Sequence, residues 1–186
     1  MTALPWETAR TRLRALTADD LELLLQLDAD PGVLRYITGG APLPRAEMID
    51  WVLPRFLGPA AQGHGLGFYV AHDRATDAFL GWAHLRRDEA EPAWVEVGYR
   101  LRTAWWGQGL ATEITQALIH IAFAVRGELT VSARALVGNA ASRRVMEKCG
   151  LRDAGTYLLP PDRRGSLDLP AREAVVYTLG RADWRP

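Results

Sequence analysis

The chain has 186 residues, 48% hydrophobic and 24% charged, enough for one ordinary core and too apolar for a disordered or fibrous protein. Lysine plus arginine equals aspartate plus glutamate at 22 each, so no whole-chain field draws it to nucleic acid or to an anionic membrane. A single cysteine, Cys149, leaves no intrachain disulfide and no multi-cysteine metal centre; with no signal-peptide-type segment in residues 1–14 and no membrane-length apolar run, one cytoplasmic domain over 1–186 is expected.

Arg12-Leu13-Arg14-Ala15-Leu16 alternates polar and apolar side chains and predicts a short strand. Thr17 with Asp20 forms a capping box that opens a helix carrying Leu21, Leu24 and Leu25, closed by Asp30-Pro31-Gly32. Beyond Gly39-Gly40-Ala41-Pro42, a second helix is predicted over about 45–56, with Pro54 kinking or ending it. Segments 67–71 and 78–83 flank 73–77 as a hairpin. Residues 94–101 make a third strand, with Val95, Val97, Tyr99 and Leu101 on one face. A helix over about 109–125 follows, its apolar stripe Ile114, Leu118, Ile121 and Val125, its polar face Glu113, Gln116 and His120. Residues 129–133 read as a strand, and 140–148 as a helix stopped at Cys149-Gly150. Segments 156–159 and 174–179 predict a closing antiparallel pair, joined by a proline- and charge-rich mobile loop over 160–170. The order gives a mixed sheet with helices on both sides.

Gly107 and Gly109 stand between a strand and the long helix. Missing side chains let backbone amides approach a ligand, and a first helical turn offers unpaired N–H groups with partial positive charge. A pyrophosphate suits such a loop, although glycines also serve simply to turn a chain into a helix. A P-loop is excluded because Leu110-Ala111-Thr112 follows Gly109 with no lysine. A dinucleotide fingerprint is disfavoured because Thr112 takes the third glycine's place and the preceding chain is an antiparallel meander.

Taken with Asn139-Ala140-Ala141-Ser142-Arg143-Arg144-Val145-Met146-Glu147-Lys148-Cys149-Gly150-Leu151, the run from Glu96 to Glu113 resembles the GCN5-related N-acetyltransferase (GNAT) family, closest to its RimJ/RimL-type branch. The family's Gln/Arg-x-x-Gly-x-Gly/Ala motif is met at Gly109 and Ala111, with Trp106 in the first place. The second motif is met at Asn139, Ser142, Val145, Glu147, Lys148, Gly150 and Leu151. In element order the resemblance extends over essentially the whole chain. It implies an α/β (α+β) fold whose mixed, mostly antiparallel central sheet of six to seven strands is flanked by helices on both faces. It further implies acetyl-CoA as cosubstrate without a metal, and a primary amine attacking the thioester directly in a ternary complex. The cosubstrate site it implies comprises Tyr99, Leu101, Trp106, Gly107, Gln108, Gly109, Leu110, Ala111, Thr112, Asn139 and Ser142.

Such chemistry needs a route for the amine's proton and a donor for the leaving thiolate. Glu96, the one carboxylate on its strand, is the general-base candidate, acting through water; otherwise it is an ordinary exposed strand residue. Gly98 is compatible with a bulge or a close approach. The family's acid, a tyrosine four positions after Ser142, falls on Met146, so that donor is missing. The resemblance to the RimJ/RimL-type branch implies Ser142 as partner of the coenzyme sulfur, with helix capping or a cofactor-only contact its other reading; Asn139 binds pantetheine, caps the helix, or both. Tyr157 is a distant reserve acid. His120 reads as solvent-facing, Cys149 as packing, and His64, His72 and His84 show no ligand spacing.

The acceptor is expected between the N-terminal helices and the late hairpin, near Tyr36, Ile37, Trp51, Trp82 and the 160–170 loop, with core packing the other reading of each tryptophan. Glu47, Asp50 and Asp162 are scattered acids rather than a dense patch. A protein N-terminus or a small amine is the first acceptor reading and an aminoglycoside the second. A non-catalytic acetyl-CoA-binding module is the reading from a different class. No nucleic-acid or membrane partner is expected, and a homodimer is compatible with the sequence.

Overall fold

The computed structural model describes residues 6–58 and 65–185. Among them eight strands build one sheet in the order β1-β2-β3-β4-β5-β6-β8-β7. They are β1 (Trp6–Glu7), β2 (Thr11–Ala15), β3 (Gly67–Asp73), β4 (Phe79–Arg87), β5 (Val95–Leu101), β6 (Thr130–Leu136), β7 (Arg152–Leu159) and β8 (Arg172–Gly180). The strand beyond the six or seven expected is β1, whose two residues are too short to carry a periodicity. All neighbours pair antiparallel except β5 and β6, which are parallel.

The capping box at Thr17 and Asp20 is formed and leads through a single 3-10 turn into α1 (Leu21–Asp28). Asp30-Pro31-Gly32 does more than stop that helix. The Asp30 carboxylate accepts the Gly32 N–H at 2.9 Å and caps a new turn, α2 (Pro31–Leu34), with Pro31 where a missing N–H is harmless. The second expected helix is α3 (Arg45–Glu47), wide π turns (Met48–Val52) and α4 (Leu53–Leu57). Pro54 therefore does not end it: the Leu53 N–H reaches back five residues to Met48 O, and the widened turn accommodates the proline in the first turn of α4. The long helix is α5 (Leu110–His120), also finishing in π turns, Ile121–Val125. Those turns rotate Val125 off the predicted stripe to 58% exposure, and Phe123 is fully buried instead. Finally, α6 (Ala140–Lys148) ends at Gly150, whose φ of +85° is the left-handed stop its sequence promised.

Two apolar layers sandwich the sheet. On one face α5 and α6 pack Ile114, Leu118, Phe123 and Met146 against Leu13, Leu85, Val95, Val97 and Val131. On the other, α1 to α4 pack Leu24, Leu27, Met48 and Phe56 against Phe68, Val70 and Trp82. The alternation of β5 sends Val95, Val97, Tyr99 and Leu101 to the first layer, as expected, and Glu96, Gly98 and Arg100 to the second. The β5–β6 ladder holds only at Val95↔Val131 and Glu96↔Ser132. Beyond it the two strands part, and the parting makes the site.

Candidate functional site

A cleft of about 500 Å³ opens where β5 and β6 separate. Of the residues expected to hold a cosubstrate, Tyr99, Leu101, Trp106, Gly107, Gly109, Leu110, Ala111, Thr112, Asn139 and Ser142 line it. Gln108 is not among the lining residues: its amide donates to Ala104 O at 3.1 Å and its carbonyl accepts from Arg10. Gly107 and Gly109 adopt φ of +74° and +80°, conformations natural only to glycine, and Gly109 caps α5. The exposed Trp106 is tied back to the end of β5 by Nε1–H donating to Leu101 O at 2.8 Å. Beneath the loop lies a brace that sequence reading missed. The Glu113 carboxylate takes bonds from the Thr8 hydroxyl, the Arg10 N–H (2.8 Å) and Arg10 Nε (2.7 Å), while Arg10 NH1 donates to Gln108 O at 2.8 Å. These groups stand about a hundred positions apart in the chain, so no local pattern signals them.

Across the cleft, Asn139 is the N-cap of α6, accepting the Ser142 N–H at 3.2 Å, and it also lines the cleft; both of its expected positions coincide. Ser142 and Tyr99 both line the cleft, and burial pushes the Tyr99 hydroxyl up to about 12. Met146 is buried in the core. Cys149 lies outside the cleft lining, its Sγ 3.7 Å from Thr112 O, and burial pushes its thiol up to about 12. Arg144 and Lys148, one turn apart on the exposed face of α6, add positive charge at the rim.

At the other end the cleft is lined by Gly32, Val33, Tyr36, Ile37 and Arg100. Tyr36 and Ile37, expected near the acceptor, thus line the same cleft as the residues expected to hold the cosubstrate. Trp82 does not: it is buried with Phe56 (ring centroids 5.1 Å) and Phe68 (5.4 Å), and the Arg100 guanidinium lies 5.1 Å above it. Trp51 is outside the lining too, under the Arg164 guanidinium at 5.4 Å. The segment expected to be mobile is docked on the helices. Glu47 accepts the Ser166 N–H and hydroxyl, both at 2.8 Å, and Arg172 NH1 donates to Ile37 O at 2.8 Å.

Glu96 is neither exposed nor part of the cleft lining. It is buried on the second layer, in contact with the Arg86 guanidinium, 3.4 Å from Arg134 and 3.8 Å from His84 Nε2. Burial raises its carboxyl above the usual range, against the opposing pull of Arg86 and Arg134. His84 is packed between Phe68 and Trp82, and neither ring nitrogen has a hydrogen-bond partner. Burial, reinforced by Arg86 and Arg55, holds it well below the ordinary histidine range and therefore neutral. Beside it, burial pushes Asp88 upward, but bonds from Arg134, Ser132 and the Glu91 and Ala90 amides outweigh that and hold it at about 2. Tyr157 stands next to this cluster, raised chiefly by burial. His120 is exposed against Trp184, His72 bonds Asp77 O, and His64 lies outside the described residues. Among the described residues no group of three His, Cys, Asp or Glu side chains is placed to hold a metal, and no helix is long and apolar enough to cross a membrane.

Comparison with known proteins meets this geometry. The family described as "Acetyltransferase (GNAT) domain" matches residues 10–152. The chain is 29% identical over 188 residues to an Aspergillus fumigatus FsC-acetyl coenzyme A-N(2)-transacetylase, covering 95% of this chain and 76% of the relative. It is 31% identical over 147 residues to the Bacillus subtilis protein YkkB, covering 77% and 83%. The fold matches a ribosomal-protein-S5-alanine acetyltransferase from Vibrio fischeri with a TM-score of 0.68 at 15% identity, over 98% of this chain and all of that one.

Proposed function

The chain belongs to the GNAT acetyltransferase family, in its RimJ/RimL-type branch, and is an acetyl-CoA-dependent N-acetyltransferase; from that premise we propose how the cleft is divided between its two substrates and which amine it serves. The diphosphate of acetyl-CoA sits at the N-terminus of α5. There the first helical bond is Glu113 N–H to Gly109 O at 3.1 Å, so the amides of Leu110, Ala111 and Thr112 precede intrahelical pairing and carry the helix's partial positive charge. Arg144 and Lys148 reinforce the attraction at the rim. The pantetheine arm, an extended chain with its own amides, runs along β5 past Glu96, where the ladder to β6 has ended. Asn139 and Ser142 face it from α6.

The acceptor enters past Val33, Tyr36 and Ile37. The amine attacks the thioester directly, because the one cysteine is not a credible acyl carrier: a buried thiol held near about 12 is protonated at neutral pH. The observation that carries the choice of amine is the state of the carboxylates at this end. Asp28 is paired with Arg100 at 2.6 Å, Asp30 with Thr103 and the Gly32 amide, and Glu47 with Ser166. Asp28 is neutralised by Arg100, Asp30 and Glu47 are engaged by neutral donors of the chain, and none of the three lines the cleft, so the lining itself offers a polycation no carboxylate. A protein N-terminus or a small α-amine suits such a site. An α-amine titrates near about 7.7–8.0, which leaves much of it neutral at working pH and asks only a weak base of the enzyme. Glu96 stands on the acceptor side of the sheet outside the cleft lining and is our candidate for that base through a water relay, its basicity raised by burial against the pull of Arg86 and Arg134. The fungal relative, by its name an N(2)-transacetylase, is in keeping with transfer to an amine nitrogen. No observation favours an aminoglycoside.

Thiol release from acetyl-CoA, followed across N-terminal peptides, amino acids, polyamines and aminoglycosides, tests both assignments. Turnover is expected on α-amines; turnover confined to polyamines or aminoglycosides would overturn the acceptor. Glu96→Gln is expected to lower kcat/KM by about 10- to 100-fold near neutrality. The deficit should shrink as pH rises and the amine deprotonates unaided. A pH profile identical to the native one would remove Glu96 as base.

A further inference from the structure

We propose that the Tyr99 hydroxyl, in the same stretch of cleft lining as Ser142, is the hydrogen-bond donor that stabilises the departing coenzyme thiolate, replacing from the strand the helix tyrosine that Met146 displaces. The inference rests on the reading of the cleft as the acetyl-CoA site. Met146 is buried in the core and has no proton to offer. The hydroxyl-bearing residues that line the cleft are Tyr36, Tyr99, Thr112 and Ser142. Thr112 stands in the first turn of α5, where the diphosphate is expected, and Tyr36 stands at the acceptor end, under the Arg35 guanidinium at 5.3 Å. Only Tyr99, from β5, and Ser142, from α6, remain to meet the sulfur between those two ends. The pair is rigid. The Tyr99 ring packs against the core, and Ser142 is fixed at the head of α6 by the Asn139 carboxamide, which accepts its N–H at 3.2 Å.

The role is donation of a hydrogen bond rather than of a proton. Burial holds the Tyr99 hydroxyl at about 12, whereas a free thiol titrates near about 8.5, so a thiolate is too weak a base to take the phenol's proton. The C–N bond forms as the C–S bond breaks, and the sulfur leaves with the electron pair, held by the hydroxyl. The ammonium proton passes to the base and on to solvent, and the thiolate is reprotonated from solvent once released. The hydroxyl stays protonated throughout and is equally effective at every working pH.

The test needs no acceptor. Coenzyme A is bound to the native enzyme and to Tyr99→Phe, and the thiolate's ultraviolet absorbance is followed against pH. In the native complex the bound thiol is expected to titrate below the free one. In Tyr99→Phe it should return upward by about one pH unit, tenfold in acidity, the size of one hydrogen bond to a charged group. Ser142→Ala should move it in the same direction. Desulfo-coenzyme A should bind native and variant alike, and kcat on any accepted amine should fall by about 10- to 100-fold with the acetyl-CoA KM unchanged. Identical thiol titration in native and Tyr99→Phe proteins would overturn the proposal, and so would a variant that loses desulfo-coenzyme A affinity, since the hydroxyl would then only shape the cleft. Failure of the native enzyme to bind coenzyme A would instead sink the reading of the cleft itself.

Discussion

At position 98 there is no room for a methyl group. A Cβ built on Gly98 would lie 2.6 Å from His84 Cε1 and 2.9 Å from His84 Nε2. The imidazole cannot retreat, because Phe68 (4.9 Å) and Trp82 (5.9 Å) hold its ring. Gly98→Ala is therefore expected to cost about 1–3 kcal/mol, read as a lowered urea midpoint, and to displace His84 from Glu96; an unchanged midpoint would show that the ring moves freely. The sequence allowed a bulge or a close approach here. The β4–β5 register runs unbroken from Gly81 to Arg87, so it is a close approach, and the neighbour is a histidine rather than a ligand. Glu96 was visible as the one carboxylate on its strand. Its burial against Arg86 and Arg134 was not, because alternation along β5 says which face a side chain takes and nothing of what the neighbouring strands bring to that face.

Among the elements, the turn between β1 and β2 does a job that its position in the chain conceals. Arg10 clamps Glu113 in the first turn of α5 and the Gln108 carbonyl in the glycine loop, so the conformation of residues 107–109 is supported from the far side of the sheet's first hairpin. Arg10→Met is expected to raise KM for acetyl-CoA about tenfold, a loss on the scale of a hydrogen bond to a charged group. KM for S-acetylpantetheine, which has no diphosphate, should be unchanged; an equal rise for both donors would show that the brace merely holds the fold. The helices themselves were largely legible from capping and glycine stops, and α6 matches its prediction to the residue. The departures sit at the π turns of Met48–Val52 and Ile121–Val125, where tertiary packing shifts the helical period.

At the scale of the whole molecule, the site exists because β5 and β6 are fastened at one end and free at the other. Asp88 does the fastening: its carboxylate takes Arg134 NH2 at 2.9 Å and bonds from Arg134 NH1 and the Ser132 hydroxyl, beside the last paired residues. With its folded carboxyl held at about 2, below the ordinary carboxylate range, Asp88 contributes stability that is fully present above the unfolded value near about 3.9. That contribution is lost as pH falls toward about 2, and with solvent screening it amounts to about 1–2 kcal/mol. Asp88→Asn should lower the thermal midpoint at neutral pH and flatten its decline between pH of about 5 and 2; a native-like acid limb in the variant would refute the assignment. The sequence by itself determined the strand and helix order, the glycine loop, the α6 cap and the acetyltransferase likeness, because these depend on residues close together in the chain and on backbone conformations that few residue types adopt. Only the tertiary structure decided that Tyr99 and Ser142 line one cleft, that Trp82 is core, that Glu96 is enclosed by arginines, and that Arg10 braces the loop, because each depends on groups that sheet pairing and layer packing bring together from distant parts of the chain.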